Sequence, residues 1–337
     1  MRTIFTHVPM LMISAFVISC TPAESVKKKD AGNVTICISA SSCNGTKASS
    51  PASEEAVRSI QVLLFQDGVL YGCGAAEGSD VELMVSDGVY DIYAFVNDPY
   101  DWVSDTDVTE EKIMSSQSML EDNSMSALVM FGYKHGVQVD KNTGTVMVPV
   151  DRLVSKIMFK EIRTDFSENS YFKGKSLKIN KIYLSNILGS CTYSLQPEDS
   201  PSSDDAWFGR MGTEEIPETL KPLTSDEGLD IMIPDQGTSR LSRVFYTYPN
   251  GCISDSSSDS WQPRRTRLVI EAVLDGRKCW YHITLPPMMP NVTYLINSCT
   301  IKNMGGSSPE EHLGPACEVS LTSSLSWEEI YSVEEES

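Results

Sequence analysis

Short runs in which hydrophobic and polar residues alternate recur along this chain, and three of them end at an Asp-Gly pair. These pairs lie at residues 67–68, 87–88 and 275–276. Alternation with a period of two is typical of a strand that has one buried face. Asp and Gly tolerate the positive φ angles of a type I′ turn, whose twist matches that of the flanking strands. The pattern therefore predicts three β-hairpins.

Other apolar runs predict most of the remaining secondary structure. Strands are expected near residues 128–139, 145–150, 153–163, 177–184, 243–248, 279–285, 292–302 and 317–327. The stretch 108–120 departs from this pattern, because it has helical composition with Glu110 and Glu111 in its first turn. The chain is therefore predicted to be all-β with one connecting helix.

The first twenty residues have the features of an export signal. Arg2 is followed by an apolar stretch from Val8 to Val17 and then by Cys20. Such a run is too short to cross a bilayer of roughly 30 Å as a helix, but it suits the core of a signal peptide. The segment resembles a bacterial lipoprotein signal, which implies that Cys20 is acylated and anchors the exported protein in the outer membrane. A plain secreted protein is the alternative.

Length and charge limit the classes to which the protein can belong. The 337 residues exceed one average domain and favour two. A boundary near Pro149 leads us to expect a signal at 1–20 and domains at 21–149 and 150–337. The net charge of −19 is spread along the chain without a basic stripe, so nucleic acid is not an expected partner.

The nine cysteines show no metal-binding pattern. None belongs to a Cys-x-x-Cys pair, and the close pair Cys37 and Cys43 has no histidine nearby, so no metal site is predicted. Export permits disulfides, and Cys279 and Cys299 could face each other across a hairpin. Free cysteines buried as small apolar residues are the alternative.

Motifs for catalysis are missing from the sequence. It contains no Gly-x-Ser-x-Gly elbow, no His-Glu-x-x-His helix and no phosphate-binding glycine loop. We therefore predict no catalytic residues and no cofactor, and expect a protein that is not an enzyme.

Several segments together match the pattern of one family of surface proteins. In the first half these are residues 57–65, 67–68 and 88–97; in the second half they are residues 151–157, 267–272, 281–285 and 291–296, Gly305-Gly306 and Trp327. The combination resembles the Bacteroidales fimbrillins, which are type V pilins. The resemblance implies two tandem transthyretin-like Greek-key β-sandwich domains. It also implies a lipoprotein precursor that is cut by a protease and assembles with other pilin subunits into a fimbria.

The same resemblance implies that an early strand is removed during maturation. A fimbrillin precursor fills its own groove with this donor-type strand until a trypsin-like protease cuts after Arg or Lys. The candidate strand spans residues 32–39, and its apolar face carries Val34, Ile36 and Ile38. The matching cleavage point is Lys47, which lies in a polar loop that a protease can enter. Residues 32–47 therefore hold the strand and its cleavage loop, and Arg58 is the poorer candidate because it adjoins a predicted core strand.

Three functions fit these features. The first is a structural or tip subunit of a surface pilus, whose partners are other pilin subunits and a host or bacterial surface ligand. The second is an anchor subunit that keeps its lipid on Cys20 and is not cut at Lys47. The third is a surface lipoprotein that binds glycans on exposed aromatic rings. Its candidate residues are Trp102, Trp207 and Trp261.

The C-terminal run has two interpretations. Its alternating residues are Val319, Leu321, Leu325 and Trp327. We expect them to form a strand that completes the second sandwich, with Ile330–Val333 as a mobile extension. The alternative is a strand that is donated to another molecule.

Overall fold

Strands account for most of the structure, a computed structural model that describes residues 34–42, 54, 56–194, 201–254, 260–311, 316–324 and 327. Within these residues the helices are short, and none is long and apolar enough to cross a membrane. The prediction of an all-β chain is confirmed.

The first sandwich is built from two facing sheets. Its strands are β1 (Val34–Ser42), β2 (Ser59–Gln66), β3 (Val69–Glu77), β4 (Asp80–Val85), β5 (Gly88–Val96), β7 (Met130–Val139) and β8 (Thr145–Arg152). Between β5 and β7 lie helix α1 (Glu110–Ser115), strand β6 (Gln117–Met119) and a 3₁₀ turn (Leu120–Asp122). One sheet has the order β3-β2-β5-β7 and the other has the order β8-β1-β4. The two sheets join at a corner where β7 pairs briefly with β8.

The second sandwich follows directly after β8. Its strands are β9 (Ser155–Thr164), β10 (Leu177–Ser185), β11 (Ile187–Leu188), β12 (Ser190–Thr192), β13 (Trp207–Phe208), β14 (Ser225–Asp226), β15 (Ile231–Ile233), β16 (Thr238–Thr247), β17 (Arg267–Leu274), β18 (Arg277–Thr284), β19 (Thr293–Ile301) and β20 (Cys317–Ser324). A 3₁₀ turn (Arg210–Gly212) and helix α2 (Lys221–Thr224) lie between β13 and β14. One sheet has the order β14-β10-β17-β18, with β15 also on β10, and the other has the order β16-β9-β19-β20.

The two sandwiches share one strand connectivity. In the first, β1 pairs antiparallel with β4 and parallel with β8; in the second, β9 pairs antiparallel with β16 and parallel with β19. Likewise β2 lies between β3 and β5, as β10 lies between β14 and β17. Strand β20 is an additional strand at the outer edge of β19. The two tandem sandwiches that the resemblance implied are therefore confirmed.

Two of the three predicted hairpins are confirmed. Asp67 and Gly68 connect β2 to β3 with φ angles of 51° and 75°, and Asp275 and Gly276 connect β17 to β18 with φ angles of 50° and 76°. Both central residues of each turn therefore adopt the left-handed conformation that a type I′ turn requires.

The hairpin predicted at residues 87–88 is wrong. Strand β4 pairs with β1, whereas β5 pairs with β2 and β7, so the chain crosses between the two sheets at this point. Alternation had correctly indicated the buried face of β4, whereas β5 is buried on both faces. It carries no information on which strand is the neighbour.

The predicted helix at 108–120 is shorter than expected. Helix α1 covers Glu110–Ser115, and the Thr109 hydroxyl caps it by accepting a hydrogen bond from the Lys112 amide at 3.0 Å. After it, β6 becomes extended because it pairs with β12 of the second sandwich. Tertiary pairing therefore overrides a weak helical preference.

The hydrophobic core has two parts. The smaller one fills the first sandwich between its sheets. The larger one fills the second sandwich and continues onto the outer face of the β2-β5-β7 sheet, where Phe95 and Phe131 pack against Trp102 and Tyr193. Because Tyr193 belongs to the second sandwich, the two sandwiches share an apolar contact.

The hairpin disulfide between Cys279 and Cys299 is contradicted by the sheet arrangement. Cys279 lies on β18 opposite Ala272, whereas Cys299 lies on β19 in the other sheet of the same sandwich. Both are buried free cysteines, which was the alternative. Two successive strands had been taken as a hairpin, although the chain changes sheets between them.

The corner between β7 and β8 leads to a first prediction. A Cβ atom on Gly132 would lie 1.8 Å from the Pro149 carbonyl oxygen, which is backbone and cannot rotate away. Gly132→Ala should therefore lower the free energy of unfolding by about 1–3 kcal/mol in urea titrations. Gly72→Ala is the matched control, because no heavy atom lies within 4 Å of the added Cβ. Equal stability of both variants would contradict the close approach of the strands.

Candidate functional site

Strand β1 is the middle strand of its sheet and forms the candidate site. It pairs antiparallel with β4 from Val34↔Val85 to Ser39↔Asp80. On its other side it pairs parallel with β8 from Cys37↔Thr145 to Ser42↔Val150. The backbone N–H and C=O groups of β1 therefore form hydrogen bonds with the edges of both β4 and β8.

The apolar face of β1 is buried between the two sheets. Val34 is 7% exposed, and Ile36 and Ile38 are 0% exposed, whereas Thr35 between them faces solvent. The three buried side chains pack in the same core as the inner residues of β2, β5 and β7. At about 1.5–3 kcal/mol for each buried aliphatic side chain, they stabilise the sandwich by roughly 5–9 kcal/mol, an upper value.

We name the space that β1 fills the β1 groove. Its walls carry the buried residues Val81, Val85, Val146, Val148 and Val150. Five valines suit this position, because β-branched side chains pack well on a pleated sheet. Without β1, the groove would present two unpaired strand edges beside an apolar floor.

Polar contacts hold the C-terminal half of β1. The Ala40 amide donates to the Ser79 carbonyl at 3.0 Å. The hydroxyl groups of Ser39 and Ser79 donate to the Asp80 carboxylate and lower the pKa of Asp80. The carboxylate therefore stays ionised at neutral pH and continues to accept these hydrogen bonds.

Two of the site residues expected from the sequence lie outside the described residues. These are the acylation candidate Cys20 and the cleavage candidate Lys47. Both roles stay predictions. The strand residues Val34, Ile36 and Ile38 are described, and their removal from the fold also stays a prediction.

Glu54, seven positions after Lys47, is buried at the junction of the two sandwiches. Its carboxylate accepts hydrogen bonds from Lys156 Nζ at 2.8 Å and from the Tyr246 hydroxyl. Its backbone carbonyl accepts one from Arg152 Nε at 3.3 Å. Burial lowers the pKa of Lys156, and the negative charge of Glu54 opposes this shift. The segment that precedes β2 is thus fastened to the second sandwich.

Trp327 covers the same buried charges. Its ring lies 4.3 Å from the Arg152 guanidinium and 5.1 Å from Lys156 Nζ, and it stacks on Tyr246 at 5.9 Å. We call Glu54, Arg152, Lys156, Tyr246 and Trp327 the junction cluster. Sequence reasoning missed this cluster, although Lys156 within the apolar run 153–159 was a signal, since a buried lysine requires a partner.

A second set of contacts ties the sandwiches together. Strands β6 and β12 pair across the junction, and the Tyr248 hydroxyl bonds to the Ser118 hydroxyl at 2.6 Å and accepts from Asn123 at 3.0 Å. The Tyr193 hydroxyl donates to Asp98 of the first sandwich. Strand pairing, hydrogen bonds and a buried ion pair therefore fix the junction.

The C-terminal strand β20 is the outer strand of its sheet. It pairs with β19 and with no other described strand, and most of its side chains are exposed, with Val319 at 39%. The expectation that this run joins the second sandwich is confirmed for residues 317–324. Ile330–Val333 lies outside the described residues.

The three tryptophans considered for glycan binding pack within the protein. Trp102 is 2% exposed, and its Nε1 donates to Asp98 at 2.9 Å. Trp207 is 7% exposed and meets the half-buried Trp261 edge to face at 5.3 Å. These residues therefore stabilise loops and the junction, and the glycan hypothesis gains no support from them.

Two tandem sandwiches of equal connectivity therefore make up the described part of the chain. No model of a known protein family matches the chain, and no curated protein matches it. Solved structures do. A candidate cell adhesion protein from Parabacteroides distasonis superposes with a TM-score of 0.61 at 14% identity, over 86% of this chain and 96% of that one.

Two further structures give the same result. A candidate cell adhesion protein from Bacteroides eggerthii has a TM-score of 0.59 at 14% identity, over 87% of this chain and 96% of that one. A fimbrillin from Porphyromonas gingivalis has a TM-score of 0.57 at 13% identity, over 86% and 97%. The protein therefore has the fold of these fimbrial and adhesion proteins, as the sequence resemblance predicted.

The burial of β1 leads to a second prediction. Ile36→Ala removes a fully buried side chain from the middle strand, so the free energy of unfolding should fall by about 2–5 kcal/mol. Thr35→Ala is the matched control on the exposed face, with an expected change of about 1 kcal/mol or less. Urea titration of the uncut chain measures both. If Ile36→Ala costs no more than Thr35→Ala, β1 does not contribute to the cooperative core.

Proposed function

We propose that this protein is a structural or tip subunit of a cell-surface pilus that supports adhesion. In this proposal it is exported as a lipoprotein, matured by proteolysis and assembled by strand exchange. The observation that carries the proposal is the position of β1, which is the middle strand of its sheet and lies just before Lys47 in the sequence. One cut after Lys47 separates this strand from the rest of the chain. The shared fold with fimbrial and adhesion proteins supports the proposal.

Strand exchange follows from the chemistry of the β1 groove. Loss of β1 exposes the N–H and C=O groups of β4 and β8 and uncovers an apolar floor. An extended segment from another subunit satisfies both requirements by adding a strand. Neighbouring pilin subunits are therefore the proposed partners, and a host or bacterial surface ligand is the proposed target of adhesion.

The contacts of Arg58 favour Lys47 as the proposed cleavage point. The Arg58 amide donates to the Asn97 side chain at 2.8 Å, and its Nε donates to the Ser126 carbonyl at 2.9 Å, directly before β2. A protease needs an extended segment free of such bonds. Cleavage after Lys47 would leave Glu54 and the junction cluster in place.

The proposed precursor has three parts. Residues 1–20 are the lipoprotein signal, and Cys20 carries the lipid that holds the precursor in the outer membrane. The N-terminal domain comprises residues 21–149, including the removable strand and loop at 32–47, together with the last residues of β8, which ends at Arg152. The C-terminal domain comprises the rest of residues 150–337. The proposed role is structural, without a cofactor or catalysis.

Truncation tests the assembly mechanism. A chain that begins at Ala48 should form dimers or larger oligomers, because its open groove accepts a strand from another copy. A synthetic peptide of residues 32–40 should restore the monomer and raise the melting temperature, since it binds only the folded state. Light scattering and calorimetry measure both effects. The control peptide carries Ile36→Asp, which places a charge in the apolar groove and should have no effect.

One outcome of this experiment would overturn strand exchange. If the truncated chain stays monomeric, melts at the same temperature as the uncut chain and does not bind the peptide, then β1 is not a removable strand.

Maturation is tested in cells by sequencing the N-terminus of the surface protein. Lys47→Ala should leave a longer precursor that does not polymerise, whereas the control Arg58→Ala should mature normally. Cys20→Ser should abolish lipid labelling and release the protein from the membrane fraction. Fibres whose subunits begin at Cys20 would instead indicate an anchor subunit, and labelling of the Cys20→Ser variant would exclude the proposed anchor.

A further inference from the structure

Two cysteines meet at the outer edge of the second sandwich. On β19 and β20, Ile301 lies opposite Cys317, and Cys299 lies opposite Val319. Because strand residues two positions apart point to the same face, the Cys299 and Cys317 side chains are diagonal neighbours on one face of the sheet.

The two thiols also interact electrostatically, and each shifts the pKa of the other. Cys299 is fully buried, whereas Cys317, the first residue of β20, is partly exposed. Other thiols bond to oxygen atoms instead: Cys252 donates to the Ser254 carbonyl at 3.4 Å, and Cys279 donates to the Tyr281 hydroxyl at 3.8 Å.

The strand that carries Cys317 has few other attachments. Strand β20 pairs on one side only, and its side chains contribute little to the core. Its partner β19 is central, between β9 and β20. A covalent bond at this point would therefore connect a loosely packed edge strand to a firmly packed one.

We propose that Cys299 and Cys317 form a disulfide when the protein meets a disulfide-bearing oxidant, and that this bond fastens β20 to β19. The site is a modification site for two-electron oxidation. Export, part of the proposed function, brings the chain into a compartment where disulfides persist. The chemistry itself depends only on the two thiols.

The reaction is a balanced thiol–disulfide exchange. The Cys317 thiolate attacks one sulfur of the oxidant disulfide and forms a mixed disulfide, and one oxidant thiol leaves. The Cys299 thiol then loses its proton and attacks the Cys317 sulfur, and the second oxidant thiol leaves. The protein loses two hydrogen atoms, and one oxidant disulfide becomes two thiols.

The surroundings assign the order of these steps. Cys299 is fully buried, and its burial raises the pKa of its thiol, whereas Cys317 is partly exposed. The partly exposed Cys317 is therefore the thiol that an oxidant reaches and that reacts first. Buried Cys299 is the resolving thiol.

The bond would have a defined effect on the fold. It closes the loop of residues 300–316 and so restricts the unfolded chain. It also keeps the edge of β19 covered, since β20 can no longer leave at its first residue. The oxidised protein should therefore melt at a higher temperature than the reduced protein, by roughly 5 °C or more.

Peptide mapping of the folded protein tests the proposal. The purified chain is incubated with oxidised glutathione under native conditions, free thiols are alkylated, and the digest is analysed by mass spectrometry. We expect a cross-linked peptide pair that contains Cys299 and Cys317 and lacks two hydrogen atoms. Cys299→Ser should trap a glutathione adduct on Cys317. The control Cys279→Ser should still form the cross-link, because Cys279 is buried nearby but takes no part.

Three results would overturn the proposal. The first is alkylation of both cysteines in protein that circular dichroism shows to be folded. The second is a cross-link from Cys317 to Cys279 or to another cysteine. The third is a cross-linked protein whose melting temperature is unchanged. Peptide mapping of the wild-type protein alone shows whether the cross-link forms, even if a variant fails to fold. None of these results depends on whether the truncated chain polymerises.

Discussion

One strand holds together the second sheet of the first sandwich. Strands β4 and β8 both pair with β1, which lies between them. Strand β9 has the corresponding place in the second sandwich, but it follows β8 after two residues and continues towards β10. Its removal would need cuts on both sides. The same topology therefore gives the two sandwiches different properties, one with a strand that a single cut releases and one without.

The junction between the sandwiches limits what the loss of β1 can disturb. Lys156 is buried at a cost in hydration that Glu54, Tyr246 and the Trp327 ring partly offset. Removal of Lys156 or Glu54 would leave the other charge buried without its partner, which is strongly destabilising. The strand pairing of β6 with β12 acts in parallel. The junction therefore holds one wall of the β1 groove, strand β8, through Arg152 and independently of β1.

Local patterns predicted the parts of this fold that local physics determines. Alternation indicated the buried faces of β1 and β2, and Asp-Gly pairs indicated the turns at 67–68 and 275–276. The pair at 87–88 failed because alternation indicates a face and not a neighbour. Glu54 was missed because its partners lie 102 and 192 positions away. The cysteine pair was missed because it depends on which sheet each strand joins.

The connection between β1 and the rest of the chain has a thermodynamic consequence. In the uncut chain residues 43–53 connect β1 covalently to the rest of the protein, so the association of β1 with its groove is intramolecular. A cut in that tether breaks no contact within the groove. It turns an intramolecular association into one between two molecules, and dilution then favours departure of the strand. Proteolysis would thus act on the entropy of association, while each hydrophobic contact and backbone bond keeps its strength for the next strand that enters.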